Sequence, residues 1–220
     1  MGQLVAAHAS AHGCDIAGTV DAGQRIADVA APYDVAIDFS VAEAVLPNLR
    51  ALAATGTPVV IGVTGWAAHL DEAKAIAREA RLGVLASANF SIGLHIFRAA
   101  VATAARGFSS QAYGAWIHES HHVHKKDAPS GTALVLRDAV VGAGYDRPID
   151  ISSTRAGEIP GTHTVGFDGA ADTVTLTHTV RDRAVFAHGA LDAARWLVGR
   201  QGWFGMDDFV GADLQVRAQG

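Results

Sequence analysis

The chain has 220 residues, of which 50% are hydrophobic and 18% are charged, and its formal net charge is −5. This length suits one large domain or two small ones, and the hydrophobic content is enough for a sizeable core. The negative charge argues against a general nucleic-acid-binding protein, which needs a basic surface. Because Cys14 is the only cysteine, we expect no intramolecular disulfide and no thiolate metal cluster. Without a secretory leader pattern or a long apolar run, the sequence predicts a cytoplasmic protein.

Short apolar runs alternate with helical patterns over residues 1–90. We expect strands at 15–20, 33–39, 58–65 and 83–90, with helices at 41–55 and 67–81. This alternation predicts a doubly wound α/β fold, in which a parallel sheet carries helices on both faces. Ligands of such sheets bind beyond the carboxyl ends of the strands. Those ends are rich in glycine, hydroxyl and amide groups here, which suits a cofactor with phosphates and equally suits ordinary tight turns.

The pattern changes after Gly93. A helix at 94–108 and a strand at 112–120 are followed by a helix that starts near Pro129. Further strand-like alternations are "DISSTRAG", "GTHTVGF", "DTVTLTHTV" and "AVFAHGA", and a closing helix is expected at 192–198. The threonine-rich alternation predicts an open antiparallel or mixed sheet with one solvated face. We therefore expect an α+β domain at 91–189, inserted between 1–90 and 190–220.

The stretch "ESHHVHKKDAPSGT" concentrates histidines and lysines before a helix start. A metal could bind His121, His122 and His124, but adjacent residues of a strand point to opposite faces and the lysines oppose a cation. A solvated loop would explain Lys126 and leave the following turn unexplained. A third interpretation is an anion site that contains a proton donor.

The turn that follows the lysines supports the anion site. Pro129 suits the first turn of a helix, and Asp127 or Ser130 can cap it. A helix N-terminus offers unpaired N–H groups and a partial positive charge, which together bind carboxylate or phosphate. A histidine beside such a site is a natural proton donor near neutral pH.

The same stretch resembles the signature of the dihydrodipicolinate reductase family, which reads Glu, any residue, His-His, two residues, Lys, any residue, Asp-Ala-Pro-Ser-Gly-Thr-Ala. Other segments are also similar to this family, and together they extend over nearly the whole chain: "IDFS", "GVTG", "ANFSIG", "RAGEIPGTHTVGF" and "THTVRDRAVFAHGALDAARWL". The resemblance implies a Rossmann-like dinucleotide domain and a substrate-binding domain whose sheet builds a homotetramer. It also implies an oxidoreductase acting on CH or CH2 groups. The reaction would be NAD(P)H-dependent reduction of 4-hydroxy-tetrahydrodipicolinate to tetrahydrodipicolinate, in lysine and diaminopimelate biosynthesis.

The resemblance also implies roles for residues that would bind a cyclic dicarboxylate. His121 matches the proton donor, and Lys125 matches a second essential group that engages a substrate carboxylate. Glu119 would orient the histidine loop. The implied substrate contacts are His122, Gly131, Thr132 and Arg183.

On the cofactor side the resemblance implies NADH or NADPH. Asp21 follows the second expected strand, where a carboxylate would bond the adenosine ribose and repel a 2′-phosphate, which favours NADH mildly. Val63 stands where the family usually has threonine. The other implied cofactor positions are Phe39, Gly62, Val63, Thr64, Ser87, Ala88, Asn89 and Phe90.

The sequence departs from the family at its start, "MGQLVAAHA", where a first strand and a glycine-rich turn would be expected. Two explanations are open: an internal start codon, which the intact downstream motifs favour, or a chain with impaired cofactor binding whose sheet lacks a central strand. The second explanation leaves a non-catalytic relative that binds a dicarboxylate or a partner as an alternative function. A metal-dependent hydrolase is a third option, but it lacks a convincing carboxylate ligand.

Overall fold

The computed structural model describes residues 1–29 and 32–218, and describes side chains up to residue 212. The chain divides into unit 1, Met1–Ile92 with Ala184–Gly220, and unit 2, Gly93–Arg183. None of the helices in the described part of the chain has the length and apolar character needed to cross a membrane.

Strands and helices alternate through unit 1, whereas unit 2 ends in three successive strands. The strands are β1 (Ala36–Asp38), β2 (Val59–Ile61), β3 (Gly83–Ala86), β4 (Gly114–His121), β5 (Ile149–Arg155), β6 (Thr162–Asp168), β7 (Thr173–Thr179) and β8 (Gly202–Phe204). The helices are α1 (Gly2–His8), α2 (Val45–Thr55), α3 (Leu70–Glu79), α4 (Ile92–Phe108), α5 (Gly131–Gly142), α6 (Ala184–Leu197) and α7 (Met206–Ala218).

Unit 1 contains a parallel four-stranded sheet in the order β1-β2-β3-β8. All three residues of β2 and the first three of β3 are buried, because the sheet is covered on both faces. Val59, Ile61 and Val84 pack in the core that includes residues of α2 and α3. Val60 and Leu85 pack in a second core, with residues of α6 and α7. The structure therefore confirms the doubly wound α/β fold.

One expected strand of unit 1 is not formed. Residues 15–20 have no regular secondary structure, and Ile16 and Val20 are 47% and 41% exposed. A strand persists only when its backbone pairs with a neighbour. In the described part of the chain β1 is the edge strand and pairs with β2 alone, so residues 15–20 extend no sheet. The prediction of a strand here was wrong because it weighed local pattern without a pairing partner.

The segment "AVFAHGA" is a helix, and the prediction of a strand was wrong there as well. It forms the first half of α6, which is therefore longer than the closing helix expected at 192–198. Ala187, Ala190, Leu191 and Ala194 are buried at helical spacing. Alanine has the highest intrinsic helix propensity, and this spacing gives one continuous buried stripe, so both preferences outweigh the short apparent alternation.

Unit 2 is built on a mixed sheet in the order β5-β4-β6-β7, with β4 and β5 parallel and the other pairs antiparallel. Ile117, Val165 and Phe167 are buried on one face, in a core that includes Val101 of α4 and Leu136 of α5. The threonine-rich face on the other side is largely exposed. The structure confirms the expected mixed sheet with one solvated face.

Candidate active site

A buried carboxylate lies at the centre of the predicted substrate site in unit 2. The Glu119 side chain is fully buried. Its Oε2 accepts hydrogen bonds from Nδ1 of His121 at 2.5 Å and from Nη1 of Arg155 at 2.9 Å. Its Oε1 accepts from Nη2 of Arg155 at 2.7 Å and from the backbone N–H of Ser130 at 3.2 Å. One carboxylate therefore joins β4, β5 and the start of α5.

The sheet register explains why these side chains meet. Residues two apart on a strand share a face, so Glu119 and His121 both point from β4 toward the side that α5 covers. Arg155 is paired with His121 across the parallel β4–β5 ladder. His163 is paired with Glu119 across the antiparallel β4–β6 ladder.

The surroundings of Glu119 keep it ionised. Burial by itself raises the pKa of a carboxyl group, but hydrogen bonds from Arg155, Ser153 and His121 outweigh burial and lower the pKa of Glu119 to about 2. Glu119 is therefore a fixed negative charge across the physiological pH range.

His121 experiences opposing influences. Burial lowers its pKa, because the imidazolium loses hydration. The hydrogen bond and the charge of Glu119 act in the opposite direction, whereas the positive charges of Lys125 and Arg155 add to the lowering. The net pKa lies below the ordinary histidine value, and the side chain is 13% exposed.

A second histidine, His163, lies next to His121 and is more deeply buried. It is 5% exposed, its Nε2 is 2.8 Å from Oγ of Ser130, and its ring centroid lies 5.0 Å from that of His121. Burial, reinforced by the charge of His121, lowers the pKa of His163 to about 4. His163 is therefore neutral near pH 7.

The donors predicted to hold a substrate carboxylate converge on a carboxylate of the chain itself. Nζ of Lys125 donates to both oxygens of Asp127, at 2.8 and 3.0 Å, and the N–H of Gly131 donates to Oδ2 at 3.3 Å. Hydrogen bonding to Lys125 lowers the pKa of Asp127. Ser130 is the N-cap of α5, where its Oγ accepts the N–H of Ala133. An ammonium and a helix N-terminus thus already form a carboxylate site in the free protein.

Three possible metal ligands lie together, and of the three histidines considered from the sequence (His121, His122 and His124) only His121 is among them. Ligand atoms of Glu119, His121 and His163 fall within 4.8 Å of one another. Both oxygens of Glu119, however, are bonded to the guanidinium of Arg155, whose positive charge opposes a cation. The arrangement favours a charged hydrogen-bond network over a metal centre.

The remaining predicted substrate contacts lie at different positions relative to this network. Thr132 follows Gly131 in the first turn of α5. His122 is the residue after β4; its Nδ1 is buried and has no hydrogen-bond partner among the described residues. Arg183 is exposed, immediately before α6, and lies outside the hydrogen-bonded group around Glu119.

In unit 1 the predicted cofactor positions follow three adjacent strands. Gly62 donates its N–H to the carbonyl of Asp38 at 2.8 Å, and Ser87 donates to the carbonyl of Ile61 at 3.0 Å. A Cβ at Gly62 would lie 2.1 Å from the ring of Phe39, so glycine is required where this ring covers the backbone. Phe39, Gly62 and Ser87 therefore lie side by side at the carboxyl edge of the sheet.

Several of the other predicted cofactor residues can offer only backbone to a ligand. Val63 is 7% exposed and Phe90 is 1% exposed. The segment Ser87–Phe90, which includes Ala88, is held by a turn in which Oγ of Ser87 donates to the carbonyl of Asn89 at 2.7 Å. Thr64 is exposed in the loop after β2.

Asp21 is exposed too, in a turn closed by Gln24. Asp21 was expected to bond the ribose because it would follow a strand, but residues 15–20 form no strand. The role itself stays a prediction.

Sequence reasoning assigned no role to Arg155 and His163. Both lie on strands far along the chain, and they reach Glu119 only through the β4–β5 and β4–β6 pairings. The available signal was an arginine at the end of β5, opposite the predicted proton donor. Recognising it requires the register between β4 and β5.

A Rossmann-like unit and a mixed-sheet unit that carries a histidine in a charged network define a dinucleotide-dependent oxidoreductase. The family models described as "Dihydrodipicolinate reductase, N-terminus" and "Dihydrodipicolinate reductase, C-terminus" match residues 1–90 and 93–210. The chain belongs to the dihydrodipicolinate reductase family.

Curated relatives agree with this assignment. The chain is 38% identical to a 4-hydroxy-tetrahydrodipicolinate reductase of Acidiphilium cryptum, over 96% of this chain and 93% of the relative. It is 44% identical to the enzyme of that name from Xanthomonas axonopodis pv. citri, over 76% of this chain and 68% of the relative. A solved structure, dipicolinate-bound dihydrodipicolinate reductase from Paenisporosarcina sp. TG-14, matches with a TM-score of 0.68 at 23% identity, over 78% of this chain and 71% of that one. The structural likeness supports the same fold.

Proposed function

We propose that the chain catalyses NAD(P)H-dependent reduction of 4-hydroxy-tetrahydrodipicolinate to tetrahydrodipicolinate, a step of lysine and diaminopimelate biosynthesis. The observation that carries the proposal is the juxtaposition in unit 2 of a polarised histidine, His121, with a carboxylate site formed by Lys125 and the N-terminus of α5. The names of the curated relatives supply the substrate, and the family resemblance implies the pathway.

Unit 1 fits a dinucleotide at the carboxyl edge of its parallel sheet. The Phe39 ring over Gly62 and the turn at Ser87 lie together at this edge, where they can contact a ligand, and Phe90 is buried beside them. When bound, the nicotinamide supplies the hydride. We assign cofactor contacts to the positions named in the sequence analysis, and Asp21 to the ribose with a mild preference for NADH.

His121 acts as the proton donor. Its Nδ1 is occupied by Glu119, so the proton is held and given at Nε2. The burial that lowers its pKa also makes the imidazolium a stronger acid, while the Glu119 carboxylate keeps the protonated form accessible.

Lys125, Gly131 and Thr132 bind a carboxylate of the substrate. In the free protein the Asp127 carboxylate occupies two of these donors, so a substrate carboxylate that takes its place finds them already aligned. His122, with a buried Nδ1 that lacks a protein partner among the described residues, contributes a further polar contact, and Arg183 is the more peripheral one.

We also propose a homotetramer that forms through the sheet of unit 2. One face of this sheet is buried in the unit's core, whereas the opposite face carries Trp116 flat against Gly166 and threonine pairs such as Thr164 with Thr177. An exposed face of aromatic and threonine side chains is suited to pair with a second copy. Cytoplasmic location stays a prediction.

The function is tested by following NADH oxidation in a coupled assay that generates the substrate. We expect turnover by the wild-type chain, a loss of roughly 100-fold or more in kcat for His121→Gln, and a loss of similar size in kcat/KM for Lys125→Ala. The matched control is Lys126→Ala, an exposed lysine beside Lys125, which should keep wild-type kinetics. Near-wild-type turnover of His121→Gln would refute its role.

The alternative is a non-catalytic family member that binds a dicarboxylate. It is favoured if the chain binds dipicolinate in calorimetry, shows no fluorescence change with NADH or NADPH, and oxidises neither. Turnover that withstands chelators would count against the metal-dependent hydrolase.

A further inference from the structure

A buried ion pair, Glu119 with Arg155, lies directly behind the proposed proton donor. Its two hydrogen bonds, at 2.7 and 2.9 Å, use both carboxylate oxygens and both terminal nitrogens of the guanidinium. The guanidinium also donates to the backbone carbonyls of Thr154 and Asp127. The planar fork of arginine fixes the carboxylate in one orientation, because each lone pair that it uses has a set direction.

A further bond to this fixed carboxylate comes from His121. Arg155, the Ser130 N–H and Ser153 also donate to Glu119, and its Oε2 accepts the Nδ1 proton of His121 at 2.5 Å. The opposite edge of the ring is confined too: a Cβ at Gly161 would lie 3.0 Å from its Cδ2 and Nε2. The imidazole is therefore held on both edges.

We infer that Glu119, anchored by Arg155, is a positioning residue that fixes the tautomer and the orientation of His121. The inference rests on the proposed reductase function and deepens it. The Nδ1 proton is permanently committed to Glu119, so Nε2 becomes the single atom at which His121 gains a proton from solvent and gives it to the substrate. The reaction leaves a neutral imidazole with Nδ1–H, and a solvent proton at Nε2 restores the imidazolium.

The groups that face His121 determine how the pH dependence of kcat should change when one of them is replaced. Three of them are charged: Glu119 on β4, Arg155 on β5 and Lys125 in the loop after β4. The fourth, His163 on β6, is neutral. Glu119 is the only negative charge among them. Its removal would leave two cations beside His121, and the imidazolium would become harder to form.

A kinetic test uses Glu119→Gln, which keeps the shape and removes the charge, and Glu119→Asp, which keeps the charge. We expect Glu119→Gln to lower kcat roughly 10- to 100-fold with KM changed by less than about threefold. The pH at which kcat declines on the basic side should move down by about one unit. Glu119→Asp should restore the wild-type position of that limb and part of kcat. An unmoved limb in Glu119→Gln, or a loss confined to KM, would overturn the inference.

The matched control is Glu158→Gln. Glu158 bonds His124 at 3.1 Å in the neighbouring loop, so it is also a carboxylate paired with a histidine, but both side chains are exposed. This variant should keep wild-type kcat and pH profile.

A spectroscopic test does not depend on turnover or on a variant of Glu119. In the ¹⁵N spectrum of the wild-type protein at high pH, the His121 ring should show a protonated Nδ1 and an unprotonated Nε2, and His121→Gln identifies its signals. The opposite tautomer would refute the positioning role even if the enzyme is active. Conversely, a wild-type chain without reductase activity but with the expected tautomer would refute the proposed function alone.

Discussion

The candidate sites of the two units are built from different chemical groups. In unit 2 the site consists of charged side chains, and the fully buried Glu119 organises them through hydrogen bonds to three separate elements. In unit 1 the predicted cofactor positions offer mainly backbone and uncharged side chains, where Gly62 and the turn at Ser87 follow short buried strands. Stability and activity in unit 2 should therefore be sensitive to charge substitutions and to pH. Unit 1 should be more sensitive to substitutions that add side-chain volume.

The largest effect is expected from added volume in unit 1. Gly189 in α6 lies against the backbone of the predicted nicotinamide segment, and a Cβ there would be 1.8 Å from the carbonyl oxygen of Phe90. Alanine favours a helix by about 1 kcal/mol, but this overlap forces α6 and the strand end apart. We expect Gly189→Ala to lower the free energy of unfolding by about 3 kcal/mol in urea titrations followed by tryptophan fluorescence.

Gly211→Ala is the control for this substitution. Gly211 also lies in a helix of unit 1, α7, but nothing lies within 4 Å of the position of its Cβ. The same change should therefore raise the free energy of unfolding by up to about 1 kcal/mol. If the two variants behaved alike, close packing of α6 on the strand end would not be what requires glycine.

The next effect concerns charge in unit 2. Burial lowers the pKa of His163 from 6.5 to about 4. Between these values the unfolded chain binds a proton that the folded chain does not, so stability from this group is complete above pH 6.5 and declines as the pH falls toward 4. We expect this residue to make the free energy of unfolding about 2 kcal/mol lower at pH 5 than at pH 8.

His163→Asn should reduce the difference in stability between pH 8 and pH 5 by that amount, as measured by urea unfolding at both values. Part of the pH dependence should persist, because burial also lowers the pKa of His121 and of His178. The control is His124→Asn, since the His124 side chain is 72% exposed, and its pH dependence should match the wild type. An unchanged difference in His163→Asn would mean that His163 is hydrated.

The same contrast explains what could be predicted from the sequence. The parallel sheet of unit 1 followed from buried runs such as residues 58–65, because local hydrophobic pattern alone specifies a fully covered strand. In unit 2 the motif led directly to His121 and Lys125. It could not lead to Arg155 or His163, whose positions depend on the register of β4 with β5 and β6. The two wrong strand predictions, residues 15–20 and "AVFAHGA", failed because pairing and burial outweighed local alternation.

The smallest effect is expected on cofactor preference, from Asp21. This residue would contribute a charge to the cofactor site of unit 1, but it lies on an exposed turn. If this carboxylate bonds the adenosine ribose, it repels the 2′-phosphate of NADPH, although solvent screens the repulsion. Asp21→Asn should therefore reduce the preference for NADH over NADPH by about tenfold, a change of about 1.4 kcal/mol, in fluorescence titrations with each cofactor. The effect should shrink as salt is added.

Asp15→Asn removes an exposed carboxylate earlier in the same segment and should leave the ratio of the two dissociation constants unchanged. Should Asp21→Asn also leave it unchanged, the turn lies away from the ribose. Because residues 15–20 are not fixed by a sheet, the position of Asp21 depends on the short turn closed by Gln24. Gln24→Ala should then also reduce the preference for NADH over NADPH, because the Asp21 carboxylate loses its fixed position without losing its charge.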